Sequence, residues 1–197
     1  MPGYGQEMHT LDDLPVTGEW REAAEVGDDV ARAAWAEAAR IELLAVAGQY
    51  QGIVTSKDLA LLVQRRSGIR TTQRAHYWIG DILGRVATEC DGRGEPLLSA
   101  LCVNAEGSVG DIYAATVLAI RGETLEDADL QAAQERLACH KWFDAVLPAE
   151  GGNAELTPRL AASRARARKV RLQERVAPTC PKCYTELPAT GPCNYCD

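Results

Sequence analysis

No apolar run in this chain approaches the roughly 18 residues needed to cross a bilayer, so membrane insertion is not expected. Its start, Met1-Pro2-Gly3-Tyr4-Gly5, lacks the basic and apolar regions of a secretory signal, which predicts a cytoplasmic protein. Histidine is scarce: His9, His76 and His140 are the whole set. Cys139 and His140 are adjacent, but consecutive helical residues point about 100° apart, too far to act as a nucleophile pair. Gly107-Ser108-Val109-Gly110 lacks the lysine and hydroxyl residue of a phosphate-binding loop and suits a turn instead. Asp81, Asp91 and Asp111 make no recognisable metal or acid–base set, and no internal repeat occurs. These gaps leave no enzyme signature.

Cysteine, by contrast, is patterned. Cys180-Pro181-Lys182-Cys183 and Cys193-Asn194-Tyr195-Cys196 are two Cys-x-x-Cys knuckles separated by nine residues. Each knuckle brings two sulfurs together from one tight turn, and two knuckles supply the four thiolates of a tetrahedral site with metal–sulfur distances of about 2.3 Å. Pro181, Pro188, Gly191 and Pro192 supply turn chemistry around them. Four protein ligands leave no open position, so the expected role is a structural Zn2+ in a short zinc ribbon; iron is the other cation such a set takes. A disulfide pairing within each knuckle would need an oxidising compartment, and a redox dithiol normally follows a strand in a βαβ unit, which the Pro-rich tail does not offer. Cys90, Cys102 and Cys139 sit inside apolar patterns and are expected in the core.

Length and charge set the organisation. The 197 residues, 46% hydrophobic and 25% charged, suit one ordinary domain with a small appendage. The net charge of −7 is unevenly spread. Residues 1–30 carry eight acidic and one basic side chain, 31–150 carry 16 and 12, and 151–197 carry four and eight. Potential felt by a phosphate is local, within about 10 Å, so the basic end can act independently of the acidic start.

The periodicity predicts mostly helix. Val30, Ala34, Ala38, Ile41 and Ala45 recur at spacings of three and four, marking an amphipathic helix that stops at Gly48. Thr55-Ser56-Lys57-Asp58 has the form of a capping box opening a short second helix, with Leu59, Leu62 and Val63 on its apolar face and Gly68 at its end. A third helix is expected from Thr71 or Thr72, with Ile79, Ile82, Leu83, Val86 and Cys90 as its stripe. Leu97 to Val103 reads as a strand, turning at Ala105-Glu106-Gly107 into a second strand over Ser108 to Tyr113. Thr124-Leu125-Glu126-Asp127 caps a fourth helix carrying Leu130, Ala133, Leu137 and Phe143. Thr157-Pro158 opens a last helix, along which Arg164, Arg168, Arg171 and Arg175 form a basic stripe.

Helix, short helix, turn, longer helix and hairpin is the order of a winged helix-turn-helix. The expected fold is therefore mainly α, of the α+β kind: a winged helix-turn-helix-like core with a short β-hairpin, a basic helical arm and a terminal zinc ribbon. The segments are an acidic irregular lead-in at 1–28, the core with a packing helix at 29–150, the arm at 151–177 and the ribbon at 178–197. In such a fold the third helix offers its first turn to a DNA groove, here Arg70, Thr71, Thr72, Gln73 and Arg74, whose guanidinium, amide and hydroxyl groups serve phosphates or base edges. Arg65 and Arg66 could flank them. The four arginines of the arm form a second electrostatic footprint. Trp35, Trp78 and Trp142 read as core or groove anchors. Duplex DNA is the expected partner. The rival reading is a protein-interaction module that grips a partner through the acidic start or the ribbon.

Residues Gly52-Ile53-Val54-Thr55 through Tyr77-Trp78-Ile79-Gly80, Glu95-Pro96, and Asn104-Ala105-Glu106-Gly107 to Tyr113 resemble the winged-helix domain of alkyltransferase-like DNA-binding proteins. The chain departs from that pattern with Tyr-Trp-Ile-Gly where the family has an arginine, and with Leu97-Leu98-Ser99 in place of Cys-His-Arg after Pro96, so the resemblance does not imply alkyl transfer. Arg136-Leu137-Ala138-Cys139, Leu147-Pro148-Ala149-Glu150-Gly151-Gly152 and Leu187-Pro188-Ala189-Thr190-Gly191 are similar to segments of a group of uncharacterised actinobacterial and actinophage proteins, a resemblance that implies origin and no activity.

Overall fold

In the computed structural model, residues 19–173, 179–185, 187, 193, 195 and 196 are described. The chain divides into two compact units, Met1–Pro158 and Arg159–Asp197. Among the described residues the fold is mainly helical, and no helix is long and apolar enough to cross a membrane.

The first unit is organised around one long helix. After β1 (Arg21–Glu22) and the single turn α1 (Ala23–Val26), α2 runs from Asp28 to Ala47 and packs against α3 (Ser56–Ser67) and α4 (Ile79–Gly92). Its buried face is Ala31, Trp35, Ala38, Ala39, Leu43 and Ala47. The stripe expected from sequence matches this face only in part: Ala38 is buried and Ala34 packs against the core, but Val30 is 57% and Ile41 44% exposed, and Ala45 faces solvent. Trp35 sets the rotation. Its ring lies 4.5 Å from that of Trp78, and its indole Nε1–H donates to the Ile69 carbonyl at 2.9 Å, so the largest side chain of the helix has both its face and its polar edge satisfied only when it points inward.

The Thr55 cap forms as the sequence predicts. Its hydroxyl oxygen accepts from the Asp58 amide at 3.1 Å and its proton goes to the Asp58 carboxylate at 2.7 Å, while Gly68 ends α3 in the left-handed region that favours glycine. The expected start of the third helix does not. Thr71 is drawn out of any helix because its amide donates to Gln64 Oε1 at 2.8 Å and its hydroxyl takes the Gln73 amide at 3.1 Å. Such local side-chain bonds compete with helix. Ile69–Arg70 is instead the short strand β3, Ala75–Tyr77 is a 3-10 turn, and α4 begins only once Trp78 is anchored. From there the expected stripe holds, with Ile79, Ile82, Val86 and Cys90 buried.

The expected hairpin is replaced by other elements. Leu98–Leu101 is a 3-10 turn, Cys102–Val103 is the two-residue strand β4, and Gly110–Arg121 is the helix α5. A strand shows alternate residues to opposite faces, whereas Leu97, Leu98, Ala100 and Leu101 are all fully buried. The tighter turn allows this because its backbone is served by side chains of α6 (Ala128–Trp142): Glu135 accepts from the Leu97 amide at 2.7 Å and Arg136 donates to the Ala100 carbonyl. The turn expected near Glu106 is present, held by Asn104 Oδ1, which accepts from the Glu106 and Ser108 amides at 3.0 and 2.9 Å. Asp127 caps α6, accepting from Asp129 and Leu130. The four strands form two separate parallel pairs, β1 with β3 (Arg21↔Ile69) and β2 (Val54–Thr55) with β4 (Val54↔Cys102). The wing of a winged helix has no counterpart among the described residues of this unit.

Cys90, Cys102 and Cys139 are in the core, as expected. Burial raises all three thiol pKa values, that of Cys102 to about 12, so none serves as a thiolate near neutral pH.

Candidate metal centre and basic surfaces

The second unit contains most of α7 (Pro158–Gln173) and the two knuckles. In the first knuckle the Cys180 amide donates to the Thr185 carbonyl at 2.8 Å and the Tyr184 amide to the Cys180 carbonyl at 2.9 Å, folding the chain back so that Cys180 and Cys183 face one point. Tyr184 takes a positive φ of 57° to close this turn, a conformation that a side chain makes unfavourable and that the four-sulfur convergence has to stabilise.

All four sulfurs of Cys180, Cys183, Cys193 and Cys196 lie within 4.8 Å of one another. Cys180 and Cys196 are 3.9 Å apart, Cys183 and Cys193 3.5 Å. A disulfide would bring them to about 2.05 Å. A tetrahedral ion with bonds of about 2.3 Å spaces its sulfurs about 3.8 Å apart, which these separations bracket. The four side chains thus fit one tetrahedral thiolate-bound ion.

Their protons are held unevenly. The Thr185 hydroxyl, 2.7 Å from the Cys183 sulfur, and the Thr185 amide lower the Cys183 pKa to about 6. Donation from the Tyr195 amide lowers that of Cys193. Cys196, whose own proton is shared with the Cys183 sulfur, is pushed up to about 12. Two of the thiols are thus held low and one high by their hydrogen bonds, and a divalent cation would remove the difference by displacing the protons.

The basic surfaces are of two kinds. Between residues 158 and 171, α7 carries Arg159, Arg164, Arg166, Arg168, Lys169 and Arg171 with no acidic residue, and all but Leu160 and Arg164 are exposed. Three of the four stripe arginines, Arg164, Arg168 and Arg171, are therefore on one helix; Arg164 has a partner, and Arg175 lies outside the described residues. In the first unit, Arg70 pairs with Glu22 and sits 5.9 Å above the Trp20 ring, so its charge is already answered within the chain. Thr71 is half-buried, while Thr72, Gln73 and Arg74 are exposed in the connector between α3 and α4, followed by Tyr77 at 70% exposure. Arg66 is tied to Glu42. Arg65 is buried instead of flanking the connector, and its Nε and Nη2 have no hydrogen-bond partner. Trp35 and Trp78 are core residues, and Trp142 is exposed.

Sequence reasoning passed over one pair. Arg136 and His140, at i and i+4 on α6, are both buried and line one cavity. The signal was available: an arginine and a histidine one turn apart on the same face as Ala132, Ala133 and Cys139, where an apolar helix face is otherwise continuous.

No protein-family model matches the chain, and no curated protein or solved structure shows significant similarity to it.

Proposed function

We propose that this protein binds duplex DNA, with α7 as the main contact and the 72–74 connector as a second one, and that the tetracysteine centre holds a structural zinc ion. The observation that carries this reading is the charge of α7. Six cations lie on its described turns with no carboxylate among them, so like charges are neighbours at i and i+3, as Arg166 and Lys169, and Arg168 and Arg171, are. Such pairs destabilise a helix by a few tenths of a kcal/mol each. A polyanion relieves all of them together and releases its own counterions on doing so. Zinc suits the centre better than a redox-active metal because coordination saturated by four thiolates does a structural task, and thiols that must stay reduced suit a cytoplasmic setting.

Helices α3 and α4 flank the connector as the two helices of a helix-turn-helix flank theirs. Without a wing, this part supplies at most Thr72, Gln73 and Arg74, and Glu22 withholds Arg70. The connector is therefore the weaker contact.

Fluorescence polarisation on a labelled duplex, at low and moderate salt, tests the proposal. Binding should weaken steeply with salt, and the triple change Arg164→Ala, Arg168→Ala, Arg171→Ala should lower the slope of log K against log salt by about 0.9 for each phosphate no longer neutralised. Alanine favours helix, so loss of α7 does not confound the result. Glu22→Gln, which frees Arg70, should tighten binding. Titrations indifferent to salt and to the triple change would overturn the proposal.

A further inference from the structure

The cavity that Arg136 and His140 line lies within the first unit, between α6, the turn after α2 and the segment 151–158. Its volume is about 100 Å³, and Tyr50, Ile53, Leu137 and Leu156 supply apolar wall. Segment 151–158 is tied down at several points. The Asn153 amide donates to the Tyr50 hydroxyl at 2.9 Å, Arg136 Nη2 donates to the Glu155 carbonyl at 3.0 Å, and the Thr157 hydroxyl donates to the Gly107 carbonyl at 2.8 Å. Gly152 makes the wrap feasible: its φ is +74°, and a Cβ there would lie 2.7 Å from the Tyr50 ring. The wall on the other side carries a side chain in that region, with Gln51 at a φ of 61°. Non-glycine residues hold such conformations where the surroundings over-determine them, often around a ligand.

Two residues lining this cavity have polar groups that are incompletely answered. Arg136 is 7% exposed; its bonds go to the carbonyls of Ala100 and Glu155, and no ion pair among the described residues includes it. A buried charge hydrogen-bonded only to neutral carbonyls, with the Asp129 carboxylate acting on it from further off, is costly, and water would not neutralise it. His140 is 2% exposed and its Nδ1 lies 2.8 Å from the Ala47 carbonyl, which fixes the proton on Nδ1. Nε2 is then a bare acceptor, buried and without a partner. Burial, opposed by the Ala47 bond and reinforced by the Arg136 charge, lowers the His140 pKa and keeps the ring neutral.

We infer that this cavity is a binding site for a small oxyanion that carries its own O–H group, its charge on Arg136 and its hydroxyl donating to His140 Nε2. An engineered cavity of about 150 Å³ takes benzene, so this one admits roughly four or five non-hydrogen atoms. Bicarbonate, hydrogen phosphate and glycolate have that size, a negative charge and a donor. Chloride has no donor. The exposed Glu155 carboxylate, which accepts from Gln51 at the rim, opposes an anion and sets a ceiling on affinity.

The test uses the full-length, zinc-loaded protein labelled with 15N-histidine. Sodium bicarbonate, sodium phosphate and sodium glycolate are titrated separately against sodium chloride at equal ionic strength, and the long-range proton–nitrogen correlations of His140 are followed. At least one oxyanion should move the bare Nε2 resonance saturably toward that of a hydrogen-bonded nitrogen, and the three arms identify which. Glu155→Gln, an exposed change that leaves the core intact, should tighten that binding a few-fold, and Arg136→Gln should abolish it. A His140 signal that none of the three oxyanions moves, or that chloride moves equally, overturns the inference and leaves a water-filled cavity. Binding indifferent to Glu155→Gln overturns it too, and does so even where Arg136→Gln fails to fold.

Discussion

The two units of this chain differ in what they bury. In the first, Leu43, Leu59, Ile82, Leu97 and Leu101 are wholly shielded from water, all four tryptophans are present, and ion pairs such as Arg40–Glu95 at 2.7 Å close over the core. In the second, the only described residue that is buried is Cys180, a candidate metal ligand. Among the described residues of this 39-residue segment, burial is too small to offset the conformational entropy of folding. A cation held by the four thiolates would stand in for that core. The comparison teaches that hydrophobic content does not locate order along this chain: Leu160 and Val170 of α7 are not buried, whereas four sulfurs converge from two turns.

The strongest way to break that comparison is to remove the ion. Chelation, or Cys180→Ser, should release the metal to a chromogenic chelator and collapse the tail, since structural zinc contributes on the order of 10–16 kcal/mol of apparent binding free energy. Tryptophan fluorescence, which reports only the first unit, should be unchanged; a parallel loss of core signal would show that the two stabilities are not separate. Next in size, Trp35→Ala should lower the stability of the first unit by about 3–5 kcal/mol in a urea titration followed by circular dichroism, through reduced burial and an unanswered Ile69 carbonyl. It should leave metal retention untouched. The smallest effect is a pH dependence confined to the core. Burial holds the folded-state pKa of His140 below that of the unfolded chain, so the unfolded state binds the proton more tightly. The contribution of the neutral ring is complete above about pH 6.5 and is lost as pH falls toward the folded value. The urea midpoint of the wild type should therefore drop more than that of His140→Gln between mildly alkaline and mildly acidic buffer.

Legibility in the sequence followed the range of the interaction. The thiolate set was readable because each knuckle is closed within four residues, and the Thr55 cap because Asp58 is three residues away. The face of α2 was not, because alanine fills both sides of that helix and the rotation is set by Trp78, 43 residues further along. The strand expected over 97–103 failed for a related reason. A short apolar run reads alike whether its backbone pairs with a strand or with Glu135 and Arg136 from a helix not yet reached. The pair formed by Arg136 and His140 went unread as a site because its closure depends on Tyr50 and on the returning segment 151–158.

The two parallel strand pairs also constrain the order in which a nascent chain can settle. Arg21 meets Ile69 and Val54 meets Cys102, each across 48 positions, so neither pair can form until the later partner has left the ribosome. The turn at 98–101 waits longer still, for Glu135 and Arg136. Most of the first unit must therefore be synthesised before its centre can lock, while the knuckles at the end need only a cation and a few residues each. A nascent chain that has emerged only as far as residue 120 would hold α2, α3 and α4 with a gap where α6 belongs.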